Sequence, residues 1–140
     1  MQLMMDEAAL SAFLLRDFAQ VAQDFRLERS DAAGLSLRLR VGDQHLRPGG
    51  TVSGPSIFAL ADVAMYLAIL ARIGPVALAV TTNCSVDFLR KPEAGRDLLA
   101  EARLLKLGRR LAVGDVMVFS EGGTEPVARA SLTYSIPPRT

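Results

Sequence analysis

Cysteine and histidine each occur once, and charge of either sign is nearly cancelled: 16 basic against 15 acidic side chains leave a formal net charge of +1. A single thiol, Cys84, excludes an internal disulfide and suits a reducing, cytoplasmic setting. Without a basic excess, nucleic acid is not an expected partner. No His, Cys and carboxylate cluster has metal-ligand spacing, and no glycine-rich loop of the GxGxxG or Walker type is present, so neither a metal nor a cofactor is expected. Residues 1–25 lack the basic, apolar and small-residue order of a signal peptide and carry Asp6 and Glu7 early. The most apolar stretch, 56–71, is shorter than a bilayer span and holds Asp62 near its middle. A charge at that depth in lipid is costly, so a buried helix in water is expected and not a membrane partner. There is no internal repeat, low-complexity tract or linker. The 140 residues, half of them apolar, are expected to form a single domain, 1–140.

The pattern that is present changes midway. Leu10, Leu14, Phe18, Val21 and Phe25 recur at steps of three and four, which predicts an amphipathic helix over 6–25. Strict alternation from Leu35 to Val41 predicts a half-buried strand. A turn-rich run, 42–54, centres on Arg47-Pro48-Gly49-Gly50. Pro55 then opens a long apolar helix, with Ser53 as a capping hydroxyl, and Gly74-Pro75 ends it. Four further strands are expected over 76–91, 97–107, 111–120 and 126–136. The short breaks between them predict an antiparallel meander of hairpins. A helix apolar on nearly every side must be covered on nearly every side. The expected class is therefore α+β: a curled antiparallel sheet of five to six strands around a long central helix, with an extra N-terminal helix.

Asp62 is the one acid on that long helix, among small and apolar neighbours. Such a carboxylate needs compensating partners or a chemical purpose, because removing it unpaired from water costs several kcal/mol. At the helix entrance, Gly54 allows close approach to the backbone, and its N–H points outward with the positive end of the helix dipole behind it. That donor can hold a carbonyl oxygen that becomes an oxyanion during acyl transfer. Basic residues gather near strand ends: Arg90 and Lys91, then Lys106, Arg109 and Arg110. Phosphate groups are what such residues clamp.

Leu60-Ala-Asp62 on a long apolar helix behind a glycine turn, Val86-Asp-Phe-Leu-Arg90 with Pro92, and Lys106-Leu-Gly-Arg-Arg-Leu-Ala112 occur in order. Together they resemble the PaaI-type hotdog thioesterases, named for phenylacetate degradation, within the 4-hydroxybenzoyl-CoA thioesterase superfamily. The resemblance covers roughly 35–136. It implies a hotdog fold and hydrolysis of an acyl-CoA thioester to free acid and coenzyme A, the latter entering only as part of the substrate. It places the general base or nucleophile on Asp62, the carbonyl donor on Gly54, and a water-orienting hydroxyl on Thr81 or Thr82. Alternation sends those two threonines to opposite faces, so one of them points into a site. Substrate-binding positions extend to Ser53, Arg47, Phe58 and Tyr66. The family's His-Gly-Gly is Ser53-Gly54-Pro55 here, and Arg47 stands where many members carry asparagine. The proline removes one N–H and leaves that of Gly54.

Gly54 and Asp62 are eight residues apart, about 12 Å along a helix. A reacting carbon must lie roughly 3 Å from both its attacking group and its oxyanion donor. One chain therefore cannot supply both to one substrate, so a site shared between subunits is expected, and the family resemblance implies a homodimer or a tetramer built as a dimer of dimers. Two other readings use the same residues. A non-catalytic acyl-thioester binder would explain the altered His-Gly-Gly, and a hotdog dehydratase would pair His45 with an acid. His45 is expected on a surface loop. The acyl group, and the choice between nucleophile and general base, stay open at this level.

Overall fold

The computed structural model describes residues 3–138. Helix α1 (Glu7–Asp17) starts where the Asp6 carboxylate accepts from the Ala9 N–H at 2.8 Å, an N-cap that also suits the helix dipole. It ends at Phe18, not at Phe25. Val21 and Phe25 continue its apolar spacing, but Phe25 already belongs to strand β1 (Phe25–Asp31). That strand pairs with β2 (Gly34–Leu39), Phe25 opposite Leu39 and Asp31 opposite Gly34. The turn between them is tied by Asp31 Oδ1, which accepts from the N–H groups of Ala33 and Gly34. A hairpin with its own turn chemistry and a paired ladder wins over helical periodicity at the end of an amphipathic run. Gly34 holds φ +152°, and any Cβ there would collide with the Ala102 carbonyl.

The long helix α2 (Gly54–Ile73) has Ser53 as its N-cap, with Pro55 in the first turn and Gly74 at φ +94° closing the other end. It is long and apolar enough to cross a membrane by length and composition. Here the sheet and α1 cover it, and Leu60, Ala61, Ala64, Met65, Leu67, Ile69 and Leu70 have no exposed surface. Strands β3 (Val80–Phe88), β4 (Leu98–Leu107), β5 (Leu111–Ser120) and β6 (Ala128–Ser135) follow. All pairings are antiparallel, in the order β1-β2-β4-β5-β6-β3. Helices α1 and α2 with this six-stranded sheet make the hotdog arrangement.

The expected meander holds only for β4, β5 and β6. Strand β3 pairs with β6, so the segment through Pro92 and Gly95 is a crossover and not a hairpin. Two contacts explain it. The edge of β4 is taken by β2, from Leu35 opposite Ala102 to Leu39 opposite Leu98. At its far end β3 stays on β6, with the N–H groups of Leu89 and Arg90 reaching the Val127 carbonyl at 2.8 and 3.3 Å. Strand β3 is thus one edge of the sheet, and β1 is the other.

Candidate active site

Asp62 lies mid-way along α2, half-buried, on the side facing the start of β3 and the end of β6. Two hydroxyls meet its Oδ1: Thr81 Oγ1 and the Tyr134 phenol, each at 2.6 Å. The phenol is also 2.9 Å from the Asp62 backbone carbonyl, but its one proton goes best to the shorter, charge-assisted contact. Oδ2 has no hydrogen-bond donor among the described residues. One carboxylate oxygen is therefore anchored and the other is without a donor.

The anchors are fixed by strand geometry. Leu132, Tyr134 and Ile136 alternate with Thr133 and Ser135, so Tyr134 faces the core and is buried. Its ring stacks on Tyr66, centroids 6.2 Å apart. Burial, then the Asp62 charge and the hydrogen bond to it, push the Tyr134 phenol far above its ordinary value, so it remains a proton donor. Of the two candidate threonines, Thr81 turns inward to Asp62. Thr82 is exposed, and its hydroxyl donates to the Thr133 carbonyl at 3.3 Å.

Gly54 and Ser53 sit at the other end of the first two turns of α2. Ser53 Oγ accepts from the Ser56 N–H at 3.4 Å. The N–H of Gly54 belongs to the first helical turn and has no intrahelical acceptor. A methyl placed on Gly54 would come within 3.3 Å of the Phe88 ring, so this entrance lies against the last residue of β3. Asp62, by contrast, lies beside the strand's first two residues. Arg47 is exposed on the turn before α2, where its backbone bonds Thr51 and Gly50.

Two clefts meet at Asp62. One, of about 220 Å³, is lined by Phe18, Val21, Phe25, Leu39, Phe58 and Val63, with Asp24 and His45 among its walls. The other, of about 590 Å³, is bordered by Asp17, Gln20, Tyr66, Val80, Thr81 and Tyr134. Tyr66 is buried, donates to the Ala77 carbonyl at 3.0 Å, and packs on Phe13 and Phe18. Burial and the Asp17 charge raise its phenol as well.

The basic positions separate into two groups. Arg90 is engaged by the Pro126 carbonyl at 2.9 Å and by Glu125 at 3.0 Å, and Lys91 beside it is exposed. Lys106, Arg109 and Arg110 surround an open groove at the β4–β5 hairpin with Ile73, Pro137 and Pro138. Sequence reasoning missed Tyr134, although a phenol alternating with inward aliphatic residues demands a buried partner. It also misplaced His45, which is 6% exposed and not on a surface loop. The short turn Asp43–His45 folds the ring inward, where Nδ1 accepts from the Gly42 N–H at 2.9 Å.

An antiparallel sheet wrapped on a long central helix is the hotdog architecture, and here that helix carries a hydroxyl-anchored carboxylate. The sequence matches the thioesterase superfamily over residues 49–127, more than half of the chain, and the protein belongs to that family. A Silicibacter protein described as a thioesterase shares 59% identity in its crystal structure, with a TM-score of 0.93 over 99% of this chain and 96% of that one. A point mutant of the phenylacetic acid degradation protein PaaI from Thermus thermophilus shares 31%, with a TM-score of 0.72 over 86% and 99%. A Pseudomonas aeruginosa protein named as an esterase is 32% identical over 103 residues, 74% of this chain and 75% of its own. The chain is a thioester hydrolase.

Proposed function

We propose that this enzyme hydrolyses acyl-coenzyme A thioesters at sites shared between two copies, with Asp62 as general base or nucleophile. The observation that carries the reading is the asymmetric carboxylate, Oδ1 held by Thr81 and Tyr134 and Oδ2 without a donor, on a residue that lines both clefts. As a base, Oδ2 takes a proton from water while the water oxygen adds to the thioester carbon. The C–S bond then breaks, the acid proton of Asp62 passes to the departing sulfur, and free acid and coenzyme A result. As a nucleophile, Oδ2 adds to the same carbon, coenzyme A leaves, and water hydrolyses the mixed anhydride. In either route the Gly54 N–H of the other copy steadies the carbonyl oxygen as it gains charge.

The edge strand supports the shared site. Strand β3 is paired on one side only, and its ends expose Val80 at 53% and Phe88 at 57%. An exposed apolar edge invites pairing with another chain. Two copies pairing β3 antiparallel about Cys84 would set Val80 of one opposite Phe88 of the other. Asp62 with Thr81 would then face the Gly54 that lies against the second copy's Phe88. A dimer of dimers extends the same arrangement.

Arg90 and Lys91 lie at the Gly54 end, and Lys106, Arg109 and Arg110 at the β4–β5 hairpin; in this reading they receive the phosphates of coenzyme A. Ser53 and Arg47 shape the entrance, and Phe58 and Tyr66 border the acyl and thioester passages. The reducing, cytoplasmic setting fits a substrate of this kind. The test is release of free coenzyme A from a panel of acyl-CoA thioesters by wild type and Asp62→Ala. A fall of two or more orders of magnitude in the mutant supports the assignment. Equal turnover by both proteins would remove Asp62 from the chemistry.

A further inference from the structure

The two clefts at Asp62 have three lining residues in common among those described: Phe18, Asp62 and Val63. Asp62 and Val63 are consecutive on α2. Phe18 comes from elsewhere, the end of α1, so a phenyl ring set against a short stretch of helix divides the two spaces. That ring is braced. The Phe18 N–H reaches the Leu14 carbonyl, and its own carbonyl accepts from the N–H groups of Val21 and Ala22, all at 3.1 Å. The side chain is half-buried and stands edge-on to Tyr66, with centroids 6.0 Å apart. Tyr66 is in turn tied to the Ala77 carbonyl and stacked on Tyr134. Groups packed in this way resist displacement.

A thioester has two arms that meet at its carbonyl carbon, and that carbon must come within reach of Asp62. One arm then lies in the cleft of about 220 Å³ and the other in the cleft of about 590 Å³. Whichever cleft takes the acyl arm, the residues common to both clefts face the carbonyl carbon and its immediate neighbours. They do not face the far end of the acyl chain. On the acyl side the immediate neighbour is the α-carbon. A methylene there passes between Phe18 and Val63 with only hydrogens to accommodate. A methyl branch at the same carbon must be taken up by the braced ring or by the Val63 side chain, whose β-branching leaves it little freedom to turn.

Building on the acyl-CoA thioesterase reading above, we infer that Phe18 is a specificity-determining residue. With Val63 it narrows the junction of the two clefts, so that acyl groups unbranched next to the thioester are accepted and α-branched ones are refused. The selection is by width at the reacting centre, not by chain length. A methyl that does not fit there holds the carbonyl carbon away from Asp62, and a small misplacement of reacting atoms costs rate as well as affinity.

Hexanoyl-CoA and the two enantiomers of 2-methylhexanoyl-CoA differ only by that branch. Wild type should favour hexanoyl-CoA over both enantiomers at least tenfold in kcat/KM, the scale on which one carbon group is discriminated in a packed site. Phe18→Ala should bring the ratio toward one by raising turnover of the branched thioesters. Phe18→Leu keeps apolar bulk on the same backbone position and should give an intermediate ratio. A purely structural part for Phe18 would lower all the rates together and leave the ratio where it was. Affinities of Asp62→Asn for the same thioesters, with and without Phe18→Ala, give the comparison in the absence of turnover. No preference in rate or affinity, or substitutions at Phe18 that keep the full preference, would overturn the assignment. If the branched thioesters bind at least tenfold more weakly while wild type hydrolyses neither kind, the narrow junction stands and the hydrolytic reading falls.

Discussion

A carboxylate with both strong donors on one oxygen is held in orientation and open on the other side, and this division governs what substitutions at the site should do. Under the proposed mechanism Asp62→Ala removes the reacting group, and kcat should fall by about two orders of magnitude or more, with the protein still folded by circular dichroism. Tyr134→Phe keeps the ring stack on Tyr66 and removes one anchor of Oδ1. It should cost about 1–3 kcal/mol of stability, the range for a buried hydrogen bond to a charged group, and lower kcat more than it raises KM. Denaturant unfolding and steady-state rates separate those two effects. Both phenols are raised, so the native state keeps them protonated where the unfolded chain would ionise them. That contribution to stability is complete below pH about 10, the ordinary tyrosine range, and is lost as pH rises above it. Near-UV phenolate absorbance in an alkaline titration should therefore stay low until unfolding begins; early, reversible ionisation of both tyrosines would contradict it. Asp62 and Gly54 were legible as candidates in the sequence because an acid in an apolar helix and a glycine at its entrance each carry a local signature, whereas the family resemblance left Thr81 and Thr82 as alternatives and only the strand's facing brings Thr81 to Asp62. Tyr134 was not singled out, and His45 was expected on a surface loop, because their placement depends on which face of a distant strand or turn meets α2.

At the scale of elements, the legible features were those whose pattern is internal to a segment. Helix α2 announces itself by composition and by its Ser53, Pro55 and Gly74 punctuation, and β2, β4, β5 and β6 by alternation and turns. The end of α1 and the whole of β1 were obscured because Phe18, Val21 and Phe25 fit a helical stripe as well as a turn and a strand. The placement of β3 was equally hidden: hairpin-length links suggest sequential pairing, and only the competition of β2 for the edge of β4 decides otherwise. One glycine shows how closely the helix and sheet are fitted. Gly114 in β5 faces Met65 of α2, and a Cβ there would strike both the Met65 side chain and the Arg103 carbonyl. The thioether can move, but the backbone carbonyl of the neighbouring strand cannot without disturbing the ladder. Gly114→Val should therefore destabilise by about 1–3 kcal/mol, the usual range for overpacking, read as a lower thermal midpoint. A midpoint equal to that of wild type would show that the sheet has more freedom here than the packing implies.

For the whole molecule, the decisive question is whether one reaction uses two chains. Gly54 lies against Phe88 at one end of β3, and Asp62 bonds Thr81 at the other. The helix separates them by about 12 Å. A monomer would leave each half of the chemistry without the other. The consequence is a complementation test with an outcome that a single-chain site cannot produce. Asp62→Asn dimers lack the reacting carboxylate in both sites. Gly54→Val dimers obstruct the carbonyl donor in both sites, with the added methyls also pressing on Phe88. Neither homodimer should turn over appreciably. After mixing, dissociation and reassociation, half of the dimers should be mixed, and each mixed dimer contains one site built from an intact Gly54 and an intact Asp62. Activity should rise to about a quarter of the wild-type level under random exchange, the proportion that two-fold symmetry dictates. Sedimentation of the mixture should show dimers or larger species throughout. If the exchanged mixture stays as inactive as its parents while reassociation is complete, the two groups serve the same chain, and α2 would have to bend or break between Gly54 and Asp62 to bring them together.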